Sequence, residues 1–267
     1  MYQHNINVAL CKNTNRIRLD LLYFGHSVID SEWTGRIVLP SFSRLYCVTR
    51  GTAYITMNGV RTELLHGKWY LLPAGNTFDY ECVDEMEQLS FHLKLCDFAE
   101  SDLLSSCKEL ICLDFPPVDY EYFKNCAKSN NILDGMKLRN IVYEMLIDVI
   151  EKNNINIYRE NYSPCLYAAL NYIKQHLGMD LTITEIAENT FVSKSTITKH
   201  FRSELGISVN EYITSRIMSE AEVMLITTNK SILDISEKFG FSDQFYFSRR
   251  FKEIFGVSPR SYRNMTI

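Results

Sequence analysis

The chain has 267 residues, of which 46% are hydrophobic and 12% aromatic, and its formal net charge is −4 at pH 7. This composition excludes a disordered chain, and the length favours two globular domains. We find no charged leader followed by an apolar run and no apolar stretch of membrane-spanning length. The sequence therefore predicts a cytoplasmic protein with no membrane partner.

The first hundred residues are predicted to form short antiparallel strands. Residues 16–25 alternate apolar and polar side chains, and turn residues separate the segments that follow. Asn58-Gly59 lies between two such segments and is typical of a type I′ hairpin. Strands of this kind close into a barrel or jelly roll, here over about residues 16–95. The predicted strands cover residues 16–25, 44–50, 52–57, 61–65, 68–72, 77–82 and 88–95.

Helices are predicted over about residues 98–152. Residues 98–110 and 120–128 can each form a helix, and Asp114-Phe115-Pro116-Pro117 breaks the chain between them. Residues 134–152 carry a broad apolar stripe at helical spacing. The stripe either packs within its own domain or joins two subunits, and one helix can do both. Its residues, our candidates for dimerisation, are Leu138, Ile141, Val142, Met145, Leu146 and Val149.

Residues 153–163 are polar and lack a sustained period, which predicts a linker between a first domain, 1–152, and a second, 164–267. Pro164 suits the first turn of the next helix. Residues 164–267 hold 12 Lys and Arg against 11 Asp and Glu, so the acidity of the chain belongs to the first domain. The second domain, with a balance of one positive charge, is only weakly basic.

The second domain contains an internal repeat. The stretch from Ile183 to Tyr212 recurs from Ile232 to Tyr262, with apolar, glycine and serine positions in common. Each copy predicts two helices across a tight turn, a helix-turn-helix unit, over about 182–205 and 231–255. The segment 208–227 is predicted to be one helix of roughly 30 Å, close to the ~34 Å between successive major-groove faces of a duplex.

The second helix of each copy has an outer face of polar and basic residues. Arg and Lys neutralise phosphates or read guanine, Gln reads adenine, and hydroxyls approach backbone or base. A solvated face would explain either helix alone, whereas the duplication favours DNA readout. The candidate DNA-binding residues are Lys194, Ser195, Thr198, Lys199 and Arg202 in the first copy, and Gln244, Phe245, Ser248, Arg249 and Arg250 in the second.

The segment from Pro164 to Arg263 resembles the DNA-binding domain of the AraC/XylS family of bacterial transcription regulators. The resemblance rests on Gly240-Phe241-Ser242, Gly256-Val257-Ser258-Pro259 and Tyr262-Arg263. It implies that the base-facing positions are Ser195, Thr198, Lys199, Gln244, Phe245 and Arg249. One departure is Phe191, which stands where the second copy has Gly240 and is strained if its φ is positive.

The first domain resembles the cupin-type sensing domain of the same regulators, notably in Arg50-Gly51, Asn58-Gly59 and residues 67–75. The resemblance implies that Arg50 and Tyr80 contact an effector. Tyr46, Tyr54, Trp69 and His92 are further lining candidates because they lie on predicted strands. A strand-end ion pair is the alternative for Arg50, and core packing is the alternative for the others.

Metal and cofactor sites are not predicted. The eight cysteines form no C-x-x-C pair, no His-x-His occurs, and Phe78 stands where enzymatic cupins carry a metal-binding His. In a reducing cytosol the cysteines are expected to be buried apolar residues, with a redox-sensing thiol as the alternative.

The resemblance thus implies an α+β chain with a cupin-like domain and an all-α domain with two helix-turn-helix units joined by a long helix. The predicted function is sequence-specific regulation of transcription, with activation through RNA polymerase as the commoner outcome. The expected partners are promoter DNA, RNA polymerase, a small-molecule effector and a second copy of the chain. The alternatives are a ligand-free regulator that acts by dimerisation, and a cupin-type enzyme with an appended DNA-binding module.

Overall fold

The computed structural model describes residues 8–113, 119–157 and 162–265. The chain divides into two compact units, Met1–Ile157 (unit 1) and Tyr158–Ile267 (unit 2). Unit 1 combines antiparallel strands with helices, and unit 2 is helical, so the predicted α+β class is confirmed. The predicted linker, 153–163, spans the boundary in the sequence, and its residues 158–161 lie outside the described residues.

The strands of unit 1 form two antiparallel sheets. A five-stranded sheet has the order β1-β8-β3-β6-β9, and a four-stranded sheet has the order β2-β7-β4-β5. The strands are β1 (Arg18–Asp30), β2 (Thr34–Ile37), β3 (Ser43–Arg50), β4 (Ala53–Met57), β5 (Val60–Glu63), β6 (Trp69–Leu72), β7 (Phe78–Cys82), β8 (Glu85–Cys96) and β9 (Ile111–Leu113).

The two faces of the five-stranded sheet contact different partners. On one face, Phe91 of β8 lies 6.2 Å from the ring of Phe123, in the helical layer that covers this side. On the other face, the guanidinium of Arg44 lies 5.7 Å from the ring of Phe78 on the four-stranded sheet. Because side chains alternate along a strand, Gln88, Ser90 and His92 also point between the two sheets.

The predicted hairpin at Asn58-Gly59 is confirmed. Asn58 has φ 52° and Gly59 has φ 80°, the two left-handed residues that a type I′ turn requires, and they join β4 to β5. The sequence did not predict β2 and β9, which have only 4 and 3 residues.

The helices of unit 1 are α1 (Val8–Thr14), α2 (Tyr120–Ala127) and α3 (Ile132–Lys152), so the two helices predicted at 120–128 and 134–152 are confirmed. The helix predicted over 98–110 is wrong, because only a 3₁₀ turn, Leu103–Ser106, forms there. Glu100 takes φ 57°, which interrupts a right-handed helix, and Asp102 caps the short turn instead. The predicted break at 114–117 lies outside the described residues.

Unit 2 is a succession of helices with the predicted pair of helix-turn-helix units. The segment predicted as one joining helix is continuous from Val209 to Thr227, and its N-cap is Ser208. The helices are α4 (Pro164–Gln175), α5 (Ile183–Thr190), α6 (Lys194–His200), α7 (Val209–Thr227), α8 (Ile232–Lys238), α9 (Gln244–Phe255) and α10 (Pro259–Met265), and a π-helical turn (Phe201–Leu205) continues α6.

Candidate nucleic-acid interface

The repeat is reproduced in the hydrogen bonds that begin the helices. Thr182 caps α5 by accepting from the Glu185 N–H, and 49 positions later Ser231 caps α8 by accepting from the Asp234 N–H. Ser193 and Asp243 cap the second helices, α6 and α9. The Tyr246 N–H lowers the pKa of Asp243 through its hydrogen bond to the carboxylate. The N-terminal end of α9 carries a partial positive charge, which also stabilises the ionised carboxylate of Asp243.

The repeat is also reproduced in the packing behind each second helix. The rings of Phe201 and Tyr212 meet edge to face at 5.5 Å, and those of Phe251 and Tyr262 do the same at 5.5 Å. Gly206 (φ 76°) and Gly256 (φ 78°) end the corresponding helices in the left-handed conformation. The duplicated sequence therefore builds the same local structure twice, which fixes the outer face of each second helix in the same way.

The joining helix α7 is largely buried. Ten of its 19 residues are buried, among them Ile213, Ile217 and Leu225, so it forms part of the core of unit 2. Buried Glu222 accepts a hydrogen bond from the Tyr262 hydroxyl, which connects α7 to α10. Nineteen residues at 1.5 Å per residue give a length of roughly 28 Å. The helix therefore has the length that the sequence predicted for a connector between the two units.

All five candidate residues on and after α6 are exposed. Lys194 and Lys199 extend into solvent, and the Thr198 hydroxyl donates to the Lys194 carbonyl at 2.9 Å. The hydroxyls of Ser195 and Ser193 are 2.9 Å apart. Arg202 forms an exposed ion pair with Glu211 at 3.5 Å, a contact of little energetic value that a phosphate can replace.

The candidates on α9 differ in their availability. Phe245 is 69% exposed and Arg249 is exposed, with its guanidinium 6.0 Å from the ring of Tyr246. Gln244 and Ser248 are half-buried beside them. Arg250 is also half-buried and is hydrogen-bonded to Glu253 at 2.6 Å. Of the two candidate arginines on α9, Arg249 is exposed, whereas Arg250 is engaged within its own helix.

Phe191, at the turn of the first unit, takes φ 57° and is 96% exposed. Gly240, at the matching position, takes φ 73°. The sequence predicted that Phe191 would be strained if its φ were positive. The φ is positive, and the left-handed region is disfavoured for a residue with a side chain, so the strain is present.

The effector candidates in unit 1 fall into two groups. Tyr46, Tyr80 and His92 lie between the sheets. The ring of Trp33 contacts both tyrosines, with centroids at 6.1 and 4.5 Å, and the rings of Phe42 and His92 lie tilted to each other with centroids 5.1 Å apart. The other three candidates, Arg50, Tyr54 and Trp69, lie elsewhere.

Arg50 is exposed and pairs with Glu85 at 2.6 Å, because a register shift between Val48 and Arg50 turns the strand end outward. Tyr54 lies on the outer face of the four-stranded sheet, under the guanidinium of Arg61 at 3.5 Å. Trp69 lies on the opposite face of the other sheet, among the core residues that pack against α2 and α3. The predicted lining role is wrong for these three residues, and the alternatives of an ion pair and core packing apply to Arg50 and Trp69.

Sequence reasoning missed Arg44, the charged residue between the sheets. Arg44 is only 1% exposed and lies two residues before Tyr46 on β3. The strand alternation that placed Tyr46 among the candidates also places Arg44 on the same face. The two-residue alternation of this strand could therefore have identified Arg44. The resemblance to the cupin-type domain indicated Arg50 instead.

The predicted dimerisation stripe is buried within unit 1. Leu138, Val142, Met145, Leu146 and Val149 belong to the core that α3 forms with the five-stranded sheet, and Ile141 packs against it while partly exposed. The stripe therefore packs within its own domain, which is one of the two alternatives, and a role in dimerisation stays a prediction. The exposed apolar residues of α3 are Ile132, Leu133, Met136 and Ile147.

The described residues include no group of His, Cys, Asp or Glu that could hold a metal ion. Ser163, His200 and Glu204 do converge, but the Ser163 hydroxyl (3.1 Å) and the Glu204 carboxylate (2.5 Å) both contact His200 Nδ1. A nucleophilic triad needs the two groups on opposite ring nitrogens, so this cluster lacks the geometry for serine catalysis. Within the described ranges no helix has both the length and the apolarity to cross a membrane.

Comparisons with known proteins agree with this geometry. A family model described as a helix-turn-helix domain matches residues 186–265. The arabinose operon regulatory protein of Escherichia coli K12 is 38% identical over 96 residues, which are 36% of this chain and 33% of that protein. The lactose operon transcription activator of Staphylococcus xylosus is 26% identical over 243 residues, 83% of this chain and 84% of that protein.

Solved structures share the two-unit architecture. An apo ToxT variant from Vibrio cholerae has a TM-score of 0.60 at 17% identity and covers 91% of this chain and 98% of its own. At that identity the likeness concerns the fold. The match to the arabinose regulator spans about a third of that protein's length, whereas the match to the lactose activator spans most of both chains. Residues 186–265 thus match a helix-turn-helix domain, and the chain is similar to proteins named as operon regulators, in agreement with the resemblance of its second domain to the AraC/XylS regulators.

Proposed function

We propose that this protein is a sequence-specific DNA-binding regulator of transcription. The observation that carries the proposal is the duplicated helix-turn-helix structure in unit 2. Both α6 and α9 begin at a side-chain cap, Ser193 and Asp243, and both are backed by an edge-to-face Phe–Tyr contact. Each of these helices has an exposed face of basic and hydroxyl side chains, which suits insertion into a major groove. Relatives named as operon regulators support the same conclusion.

Unit 1 is proposed to bind a small-molecule effector, and a second copy of the chain, in a way that alters how unit 2 engages DNA. The polar side chains between its two sheets support the first role. Coupling requires the effector to bind one state of the protein more tightly than another. Activation through RNA polymerase and homodimerisation remain predictions.

Selection of binding sites from random duplexes by the full chain tests the proposal directly. We expect enrichment of one sequence motif with information in two segments about one helical turn apart, because two reading helices enter successive grooves. Fluorescence anisotropy with the selected duplex and a scrambled duplex then gives the specificity ratio at a stated salt concentration. Failure of a folded protein to enrich any sequence would contradict the proposal.

Arg249→Ala should weaken binding to the selected duplex by about 1–3 kcal/mol and relax base preference at one position of the motif. The reason is that Arg249 is exposed on α9, so its truncation removes a contact to the groove and leaves the fold intact. Anisotropy titrations against single-base variants of the duplex measure both effects. Lys174→Ala, an exposed change at the end of α4, is the matched control and should leave the base preference unaltered.

A regulator that needs no ligand and acts by dimerisation is the second candidate function. The large exposed apolar residues at the start of α3 favour it, since Ile132 is 78% and Met136 is 59% exposed. Sedimentation velocity of the full chain decides whether a dimer forms at micromolar concentration. A strictly monomeric protein that still binds its motif would remove this candidate.

A further inference from the structure

The turn of the first helix-turn-helix unit carries a large apolar side chain that lies in solvent. Phe191 is 96% exposed, and its backbone takes φ 57°. The backbone has a structural role, because the Phe191 N–H donates to the Ala187 carbonyl and closes α5 in the left-handed conformation. Glycine fills this role best, since it has no side chain to oppose a positive φ. The phenyl ring therefore adds strain to the turn without adding buried contacts.

The second unit shows that the turn forms without such a ring. Gly240 stands at the matching position, 49 residues later, and takes φ 73°. After Phe191, the Val192 N–H donates to the Ala187 carbonyl at 3.2 Å. After Gly240, the Phe241 N–H donates to the Ser236 carbonyl at 3.1 Å. Because the same bond closes both turns, the ring at position 191 serves something other than the turn itself.

Phe191 lies close to the start of the first reading helix. Ser193, two residues further on, is the N-cap of α6, and Lys194 is the first residue of that helix. Three residues of chain span at most roughly 11 Å, which is less than the width of a major groove, about 12 Å. Reading helices contact base edges with their N-terminal residues. When α6 enters a groove in this way, Phe191 comes to the edge of the same groove.

An exposed ring recurs at the same end of the second reading helix, but at a different position of the repeat. Phe245 is the second residue of α9 and is 69% exposed. The residue that matches Phe245 in the first unit, 50 positions earlier, is Ser195. Each unit therefore presents an exposed phenyl ring beside the N-terminal end of its reading helix. A shared location without a shared repeat position indicates that both rings serve the surface that faces DNA.

The chemistry of a phenyl ring limits what it can contact on DNA. The ring has no hydrogen-bonding group, so it does not suit phosphate oxygens or the polar atoms of the bases. The base edges in the major groove carry donors and acceptors, and the 5-methyl group of thymine is the apolar exception. Packing of an exposed ring against this methyl group removes apolar surface of both partners from water.

We propose that Phe191 is a specificity-determining residue of the first unit, whose ring packs against the 5-methyl group of a thymine beside the bases that α6 reads. The inference rests on the DNA-binding function proposed above and adds a preference for thymine to it. It also explains why a strained residue stands at this turn, because backbone strain is tolerated at positions where it serves a binding function.

Replacement of single thymines by uracil tests the inference, because uracil keeps the base pairing and lacks the 5-methyl group. The parent duplex is the motif that the full chain selects from random DNA. Fluorescence anisotropy measures the affinity of the full chain for the parent duplex and for each duplex with one dU. We expect a position in the segment read by the first unit at which dU weakens binding about three- to tenfold.

Two substitutions remove the ring in different ways. Phe191→Gly also relieves the strain of the turn, whereas Phe191→Ala retains it. Both variants should bind the parent duplex about three- to tenfold more weakly than the unsubstituted chain. Both should also be insensitive to dU at the position found above, because the methyl group then has no ring to contact.

Val60→Ala is the matched control, because it shortens an exposed apolar side chain of unit 1. This variant should bind the parent and dU duplexes as the unsubstituted chain does. Circular dichroism checks that each variant is folded. Phe191→Gly decides the test if Phe191→Ala does not fold, since glycine favours the conformation that the turn requires.

Four results would overturn the inference: no thymine position sensitive to dU, unchanged affinity of folded Phe191→Gly for the parent duplex, an equal loss of affinity for parent and scrambled duplexes, or a dU effect that persists in the variant. Because the test uses a duplex that the chain has selected, each of these results leaves sequence-specific binding standing. Failure to select any motif would instead contradict the proposed function and this inference together.

Discussion

At the scale of single residues, Phe191 and Gly240 offer a controlled comparison within one chain. Both take positive φ at the turn of a helix-turn-helix unit, but Phe191 bears a side chain that is 96% exposed. The left-handed conformation costs a non-glycine residue about 1–2 kcal/mol, and glycine loses about 0.5–1 kcal/mol more backbone entropy on folding. Phe191→Gly should therefore stabilise unit 2 by up to about 1 kcal/mol, measured by urea unfolding followed at 222 nm.

The reciprocal change at the second turn is the control. At Gly240 an added Cβ would meet Asp180 Oδ1 at 3.5 Å, an ordinary contact, so the cost of Gly240→Ala is set by the positive φ. We expect it to destabilise unit 2 by about 1 kcal/mol. If the two substitutions change the free energy of unfolding by equal and opposite amounts, both effects arise from the backbone conformation. A loss of stability in Phe191→Gly would instead show that the exposed ring makes a stabilising contact.

Arg50 and Arg44 show which residue-level features sequence can reveal. The strand β3 was predicted almost to its ends, so both arginines were assigned to a strand correctly. The register shift after Val48 decides that Arg50 faces solvent, and it arises from pairing with a strand about 40 positions away. A bulge of this kind depends on tertiary contacts and leaves no local signal. Arg44, by contrast, follows from the simple alternation that also placed Tyr46.

At the scale of elements, the start of α4 is tied to the end of α6. The Ser163 N–H and hydroxyl donate to the two carboxylate oxygens of Glu204, each at 2.8 Å, and His200 contacts the same carboxylate. Burial acts to raise the pKa of Glu204, but the hydrogen bonds from Ser163 and His200 outweigh it, and the pKa is lowered. The clamp thus connects the last residue of the predicted linker, Ser163, with the end of the first reading helix.

Glu204→Gln should destabilise unit 2 by about 1–2 kcal/mol at pH 7, since it replaces hydrogen bonds to a charged acceptor with neutral ones. A carboxylate with a lowered folded pKa contributes stability above its unfolded pKa and loses it as the pH falls through the folded value. The difference between the two proteins should therefore shrink below about pH 4. A difference independent of pH would show that the variant acts through packing.

Tryptophan fluorescence provides the internal control for this experiment. The two tryptophans, Trp33 and Trp69, both belong to unit 1, whereas unit 2 contributes helical ellipticity. A substitution that acts on the clamp in unit 2 should shift the transition at 222 nm and leave the fluorescence transition in place. Movement of both transitions would indicate that the units unfold together.

The elements that sequence predicted well are those with repeated local signals. The helices of unit 2 have caps, left-handed glycines and a duplicated pattern, and each of these is read from neighbouring residues. The segment 98–110 had helical composition, but Glu100 in the left-handed conformation stops a helix there. The stripe of α3 was found at the correct spacing, yet its partner is its own sheet, because amphipathicity shows that a face is buried without identifying what covers it.

At the scale of the whole molecule, charge is divided between the units. Residues 158–267 hold 13 Lys and Arg against 12 Asp and Glu, and residues 1–157 hold 15 against 20. DNA is strongly negative, so an acidic unit carried along with the reading unit opposes nonspecific association at long range. Salt screens this effect, because the Debye length falls from about 30 Å at 0.01 M to about 10 Å at 0.1 M.

Residues 158–267 expressed alone should therefore fold as a helical unit and bind a scrambled duplex several-fold more tightly than the full chain at low salt. The affinities of the two proteins for this duplex should become equal above about 0.2 M salt, because salt screens the long-range repulsion between unit 1 and DNA. Circular dichroism checks the fold, and anisotropy titrations over a salt series measure the convergence. If unit 1 makes few contacts to phosphates, the slope of log K against log salt at high salt should be the same for both proteins. A steeper limiting slope for the full chain would instead mean that unit 1 itself touches DNA.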